Sequence, residues 1–373
     1  MHIRTLWLTD FRSYASIEVE LSPGLTALVG ANGEGKTNLL ESVAWLATLS
    51  SFRGAPTEAL VRRGALFAVV RALAERDGRE LLVEAQLQPS GRNRVLVNRQ
   101  PLRLARDLLG SLRVTVFTPD DLDIVKDGPA ERRRFLDDAL VALHPRNDAL
   151  RAEVDKILRQ RNALLRQAGG RLDRLDDDAA FTLDVWDAKL AQAGEALADA
   201  RAGLVERLAP VLASTYDALA RQPAVVTIAY DAPWRVRGLA DALAVSRHDD
   251  LRRGVSTVGP HRDELVLAIG DAPARTHASQ GEQRTLALSL RLAVHHVVTV
   301  ATDSAPVLLL DDVFSELDPG RSEALLANLP AGQTVLTTAS GLPAGAHPDV
   351  TLQLEGGQVR AVTESPTAPS GDG

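Results

Sequence analysis

Cysteine is absent from the 373 residues, which removes disulfides, thiolate zinc sites and cysteine nucleophiles from consideration. Aromatic side chains are scarce, at 4%, so a core drawn from the 45% apolar content must be mostly Leu, Val and Ala. Such a core suits helices and parallel strands better than an aromatic-rich sandwich. The length allows one large core or two to three modest lobes. No secretory leader is visible, because MHIRTLWLTD carries an Arg and an Asp where unbroken apolar residues are needed. A long uninterrupted apolar run is also missing: Leu286–Leu310 is broken by Arg291, His295, His296 and Asp303, which a membrane-spanning helix tolerates only at a cost. The expectation is a soluble, cytoplasmic chain with no membrane partner.

Lysine occurs only at Lys36, Lys126, Lys156 and Lys189. Arginine supplies the remaining strong base, which suits bidentate phosphate contacts, although a GC-rich coding sequence gives the same bias. The net charge of −7 does not veto a polyanionic partner, since phosphate binding needs a local basic surface rather than a basic total.

Along the chain, residues 2–8 and 16–21 read as strands, and Leu25–Val29 is an apolar run feeding into glycine. Residues 38–49 follow with Leu39, Leu40, Val43, Leu46 and Ala47 at helical spacing. Strand texture continues in pieces through Phe117. From about residue 129, after a helix-starting Pro129, the texture becomes Ala-, Leu-, Arg- and Asp-rich. It predicts antiparallel helices of roughly 20–30 residues, broken near Gly169–Gly170 and Asp176–Asp178. Strands return at 223–231 and 263–269, a helix at 281–301, and strands at Pro306–Leu310 and Thr334–Thr337. The Ser-, Pro- and Gly-rich end, 361–373, reads as a disordered tail.

Three motifs carry chemistry. Gly30-Ala31-Asn32-Gly33-Glu34-Gly35-Lys36-Thr37 matches G-x-x-x-x-G-K-[ST], a loop whose glycines let backbone N–H groups point at phosphates. Lys36 would bridge the β- and γ-phosphates of ATP, and the Thr37 hydroxyl would hold Mg²⁺. A chance match in this length is on the order of 1%. Val307–Leu310 delivers Asp311 and Asp312 at a strand's C-terminal end, where open α/β sheets bind ligands. Asp311 would hold Mg²⁺ through water, and Asp312 stands where a base could polarise an attacking water. Ser279-Gln280-Gly281-Glu282-Gln283 opens a helix, with Ser279 as N-cap and Gly281 permitting close approach of an anion.

In combination these motifs resemble the ABC-type ATPase family, whose signature helix precedes the acidic strand at about this distance. Ser315-Glu316-Leu317-Asp318 is similar to the D-loop that follows it. The resemblance implies an α/β fold, an ABC/SMC-type P-loop ATPase head with a largely helical second lobe. Its lobes would be 1–120 with 225–360, and 121–224. It also implies that two copies close head-to-tail, so that Ser279, Gly281 and Glu282 contact the partner's ATP. The spacing between phosphate loop and signature exceeds that of a membrane-transporter ATPase and leaves no room for a long SMC coiled coil. Asp10–Tyr14, Thr118–Leu122, Lys126–Pro129, Arg132–Asp137 and Gly259–Asp263 resemble the RecF family, bacterial recombination-mediator ATPases. That resemblance implies an ATP-dependent homodimer on DNA at single-strand/duplex gaps, weak hydrolysis, and work with RecR and RecO to load RecA. A nucleotide-gated scaffold for protein partners and a transporter-type ATPase subunit are the alternatives.

Departures from the broader pattern bear on turnover. Asp312 stands where a general-base Glu is usual, Thr337 and Thr338 replace the expected switch histidine, and no Q-loop glutamine is identifiable. Arg12 follows a strand end and is a candidate for a nucleotide- or DNA-proximal role. Arg132, Arg133 and Arg134 spread around some 200° of helix and cannot all meet one ligand; solvated positions paired with Asp137 and Asp138 are the simpler expectation. His261 has no companion cluster with ligand spacing, so a structural or nucleotide-proximal role is expected of it.

Overall fold

A computed structural model describes residues 1–168, 177–220, 222 and 224–362. The expected break at Gly169–Gly170 lies outside the described residues, as does the expected 361–373 tail except for residues 361 and 362, which are strand. The chain divides into two compact units, 1–120 with 298–373, and 121–297.

The N-terminal stretch forms β1 (His2–Phe11), β2 (Tyr14–Glu20), β3 (Leu25–Val29), α1 (Lys36–Thr48) and the short α2 (Thr57–Leu60). It continues with β4 (Ala68–Arg76), β5 (Arg79–Leu87), β6 (Arg94–Val97), β7 (Gln100–Pro101) and β8 (Val114–Phe117). The middle holds α3 (Asp123–Lys126), α4 (Pro129–Leu143), α5 (Arg146–Gln167), α6 (Asp177–Leu219), β9 (Val226–Asp231), α7 (Leu239–Arg253), β10 (Glu264–Ile269), β11 (Ala272–Pro273) and α8 (Ala274–His277). Then follow α9 (Gln280–Thr302), β12 (Val307–Leu310), α10 (Pro319–Ala327), β13 (Thr334–Thr338), β14 (Val350–Glu355) and β15 (Gln358–Val362).

In the first unit, an antiparallel sheet runs β2-β1-β4-β5-β6-β7 and a second sheet runs β15-β14-β3-β13-β12-β8. Within the second, β3 is parallel to β13 and β14, and β12 is parallel to β13 and β8. Helix α1 joins their cores: Leu39, Leu40, Trp45 and Leu46 share one cluster with Leu6, Val70 and Val83 of one sheet and Leu28, Leu309 and Val335 of the other. The apolar stripe read on one face of α1 is thus part of a helix buried nearly all round, as a helix between two sheets must be. The sheet sets the C-terminal ends of β3, β13 and β12 along one edge, with β13 between the other two, and this positions the site.

The second unit contains a three-stranded antiparallel sheet, β11-β10-β9, and helices. Leu165, Ala168, Leu183 and Leu251 cluster where the end of α5 meets the start of α6. Helix α6 is 43 residues long, about 65 Å at 1.5 Å per residue, which exceeds the expected 20–30. Pro210 lies inside it, and both Pro210 and Glu206 are exposed. The carbonyl that loses its helical partner therefore faces water, and buried Leu204, Leu208, Leu212 and Tyr216 carry the helix past the proline. Gly194 sits where a Cβ would lie 2.5 Å from Leu239, so α7 packs against bare backbone there. This unit runs through Val297; residues 225–297, which the resemblance grouped with the first lobe, fall in the second, where β9 packs on α6. By length and composition alone α9 could cross a membrane, but 67% of its most apolar window is buried inside the fold, the placement of a core helix.

Candidate functional site

Glycine geometry shapes the 30–37 loop. Gly33 and Gly35 have φ of 90° and 102°, a region that side chains disfavour. A Cβ on Gly35 would also lie 2.5 Å from the Tyr14 hydroxyl. Gly35 is the N-cap of α1 and supplies no side-chain cap, so the first helical N–H groups stay available to an anion. The Lys36 ammonium folds back over the loop and donates to the Gly30 and Ala31 carbonyls, at 2.7 and 2.8 Å. Burial lowers its pKa, opposed by the nearby Asp312, Asp311 and Glu34 carboxylates.

One carboxylate oxygen gathers the site. The hydroxyls of Thr37 and Thr337 both donate to Asp311 Oδ1, at 2.9 and 2.8 Å. Thr337 Oγ1 in turn accepts from the Asp312 backbone N–H at 2.8 Å. The parallel pairing of β12 with β13, Leu310 opposite Leu336, puts Thr337 beside the acidic pair. Burial raises the Asp311 pKa, the two threonine hydrogen bonds lower it, and the Asp312 charge raises it again. Asp312 adopts φ 49°, so the chain turns sharply directly after Asp311. Ser315 donates to the Asp312 carbonyl at 2.7 Å, and Asp318 caps α10 by accepting from the Arg321 N–H.

Neighbouring groups hold the loop and the helix that follows it. Glu34 accepts from the Gly356 N–H at 2.6 Å, tying the loop to the turn between β14 and β15. The buried Tyr14 hydroxyl lies against Gly35 without a hydrogen-bond partner among the described residues; burial, then the Glu34 charge, raises its pKa. Arg12 makes a bidentate pair with Glu41 of α1, both bonds at 2.7 Å, and donates to the Ala59 carbonyl at 2.9 Å. Glu41 is fully buried, and Ser51 also donates to it. The sequence reading named Thr337 only as standing in place of a histidine and Tyr14 only within the Asp10–Tyr14 match, gave neither a role here, and passed over Glu41. Only Glu41, a charge interrupting the apolar run of α1, gave a usable signal.

Lys36, Thr37, Asp311 and Asp312 come together with the glycines of the loop. Ser279, Gly281 and Glu282 belong to the second unit, where Ser279 and Glu282 form a reciprocal capping box: Ser279 N–H to Glu282 at 2.7 Å and Glu282 N–H to Ser279 Oγ at 3.3 Å. Gln283 is buried and donates to the Ala274 and Arg275 carbonyls, at 3.0 and 3.1 Å, so it locks α8 and does not face a ligand.

The expected pairing of Arg132–Arg134 with Asp137 and Asp138 is overturned. Arg132 is buried and pairs with Glu264 at 2.7 Å. Arg133 donates to the Asp263 carbonyl at 2.7 Å, and Arg134 pairs with Glu131 one turn away at 2.8 Å. Asp137 is taken by Arg201 and Asp138 by Arg151. For Arg132, Arg133 and both aspartates, longer-range partners brought in by folding outcompete neighbours on the same helix; Arg134 keeps a neighbour, Glu131. His261 is also built in: its Nε2 lies 2.9 Å from the Ser256 carbonyl, and burial lowers its pKa to about 4.

A family model described as the RecF/RecN/SMC N terminal domain matches residues 2–336. The chain is 43% identical to the DNA replication and repair protein RecF of Kineococcus radiotolerans, over 96% of this chain and 100% of that one. It is 44% identical to the protein of the same name from Streptomyces avermitilis, over 91% and 94%.

The chain belongs to the RecF family.

Its backbone agrees with a solved structure of the recombination mediator protein RecF-ATPrS in the RecFOR pathway, TM-score 0.88 at 28% identity, covering 97% of this chain and 98% of that one. A structure of an SmcHead bound to the C-winged helix domain of ScpA shares the fold, at TM-score 0.60 and 18% identity, covering 98% of both chains. The ABC/SMC-type head expected from the motifs is therefore the fold of this RecF-family chain.

Proposed function

We propose that this chain binds ATP with Mg²⁺ in the Gly30–Thr37 loop, closes as a homodimer and holds DNA at single-strand/duplex gaps during recombinational repair. The observation that carries it is the meeting of Thr37, Thr337 and Asp311 on one oxygen, 2.9 and 2.8 Å from the two hydroxyls, beside the Lys36 ammonium. The donor set fits the groups it would hold. Hydroxyl and carboxylate oxygens suit Mg²⁺, and a lysine beside an uncapped helix N-terminus suits phosphate. Thr37 and Asp311 would hold the metal, which neutralises phosphate charge when bound. Gly30, Ala31, Asn32, Gly33, Glu34 and Gly35 form the backbone cradle, Lys36 bridges phosphates, and Asp312 orients water. Asp312 reaches less far than a glutamate, and Thr337 stands beside it where a switch histidine is expected, so hydrolysis is slow and the protein acts as a timed clamp.

Ser279 is exposed at the start of α9, which supports its contacting, with Gly281 and Glu282, the nucleotide of a second copy. Cooperation with RecR and RecO to load RecA, and a cytoplasmic location, rest on family membership; relatives are named DNA replication and repair proteins. Analytical sedimentation with ATP tests the dimer, using the wild type and Asp312→Asn to slow turnover. An ATP-dependent dimer that Lys36→Ala abolishes supports the reading, and a persistent monomer overturns it.

A further inference from the structure

The β6–β7 hairpin at one edge of the antiparallel sheet, with the segments that flank it, carries an uncompensated positive charge. Between Gly91 and Leu108 stand Arg92, Arg94, Arg99, Arg103 and Arg106 against a single acid, Asp107, in a chain whose net charge is −7. All five arginines are exposed, and among the described residues none forms an ion pair. The acids of the neighbouring strand are already engaged: Glu80 pairs with Arg4 at 2.8 Å and Glu84 with Arg71 at 2.7 Å. Asp107 accepts from the Leu104 N–H three residues back, at 3.1 Å.

The topology gathers these charges. Strand β7 closes the sheet against β6 in antiparallel register, Leu96 opposite Pro101, and the Leu102 N–H bonds to the Val95 carbonyl at 2.9 Å. That register places Arg103 opposite Arg94. Val95 is buried in the core, so by strand alternation Arg94 points to the outer face. Arg92 precedes β6 and Arg99 follows it, so the two flank a four-residue strand about 13 Å long, comparable to roughly four base pairs of duplex. Like charges gathered along a sheet edge repel one another, and a polyanion removes that cost by releasing its own counterions.

We infer that the β6–β7 edge, Arg92, Arg94, Arg99, Arg103 and Arg106, is a phosphate-backbone contact surface for duplex DNA. The inference rests on the DNA-binding reading above and locates one of its surfaces. Phosphate contacts position without reading bases, so binding at this edge is insensitive to sequence and sensitive to salt.

The test measures affinity of the full chain with ATP for a gapped duplex oligonucleotide from about 50 to 200 mM salt. Compared are the wild type, Arg94→Gln/Arg99→Gln/Arg103→Gln, the same three positions changed to Lys, and a control Arg134→Gln/Arg252→Gln. The control arginines are exposed and paired within their own helices. The expected result is a logarithmic salt slope reduced by about 2–3 in the Gln triple variant, from roughly 0.9 per phosphate contact, with affinity lower on the order of tenfold. Lysine restores the slope, the control leaves it unchanged, and unaltered circular dichroism excludes misfolding. A wild type that binds steeply with a Gln variant of equal slope overturns this surface and leaves DNA binding standing. A wild type with no salt-dependent binding overturns both.

Discussion

Asp311 is caught between its fold and its proposed ligand. A carboxylate 7% exposed is disfavoured by burial, and its pKa is raised despite hydrogen bonds from Thr337 and Thr37. The sign follows from proton binding: with the folded pKa above the unfolded one, the folded state holds the extra proton in the window between them. Stability from this group is complete below the usual carboxylate range and is lost as pH rises through the raised value. Asp311→Asn keeps an oxygen for both threonines and removes the charge. Its expected outcome is a higher thermal midpoint than wild type near neutral pH without nucleotide, with magnesium-dependent ATP affinity lower by about 10–100-fold. Calorimetry and fluorescent-nucleotide titration check the two halves, and a midpoint lower than wild type would contradict the burial argument. Thr337→Val removes the one hydroxyl that touches both Asp311 and the Asp312 N–H. About 1–3 kcal/mol of stability is expected to go with it, because a buried donor and acceptor lose their partner. Urea unfolding measures the loss, and an unchanged midpoint would deny Thr337 any positioning role.

At the scale of elements, α1 is fixed at both ends of its first two turns. Gly35 and Lys36 belong to the loop, while Glu41 is locked by Arg12 from the turn that joins β1 to β2. Arg12 was legible as a base near the phosphate loop, but its partner was not, because the pairing exists only once α1 packs against the first sheet. Glu41 is fully buried and Arg12 mostly so, so removing one partner strands a charge. Glu41→Ala is expected to cost about 3–5 kcal/mol, whereas Arg12→Met with Glu41→Leu approaches neutrality. Chemical denaturation of both variants checks this; a single variant as stable as the double one would show the pair to be solvated. The strand–loop–helix around residue 30 could be read because an apolar run meets glycines at fixed spacing. The length of α6 could not, since Pro210 is a break signal whose effect depends on its facing water. The hairpin of β14 and β15 went unread although Val350–Glu355 alternates apolar and polar residues up to the Gly356–Gly357 turn; that signal was present and was missed.

For the whole molecule, the division into two units has a consequence for how ligand binding spreads. The proposed nucleotide residues 30–37, 311, 312 and 337 all lie in the unit built from both chain ends, whereas the long helices α5 and α6 belong to the other. The second unit has its own buried polar framework: Arg161 is fully buried and bonds Asp187, Asp250 and Ser256 at 2.6, 2.7 and 2.9 Å. Its partners come from α6 and from the α7 region, so no local pattern announced them. A ligand present at about 100 times its dissociation constant stabilises the state it binds by about 2.7 kcal/mol. If each unit opens separately, that stabilisation is confined to the unit that holds the ligand. Hydrogen exchange of Asp312→Asn with ATP, at protein concentrations that keep it monomeric, is therefore expected to slow amides of β3, α1, β12 and β13 by up to about a hundredfold. Amides of α5 and α6 are expected to exchange at their nucleotide-free rate. Equal slowing in both units would show that they open as one cooperative body, and nucleotide occupancy would then reach the second unit through global stability alone.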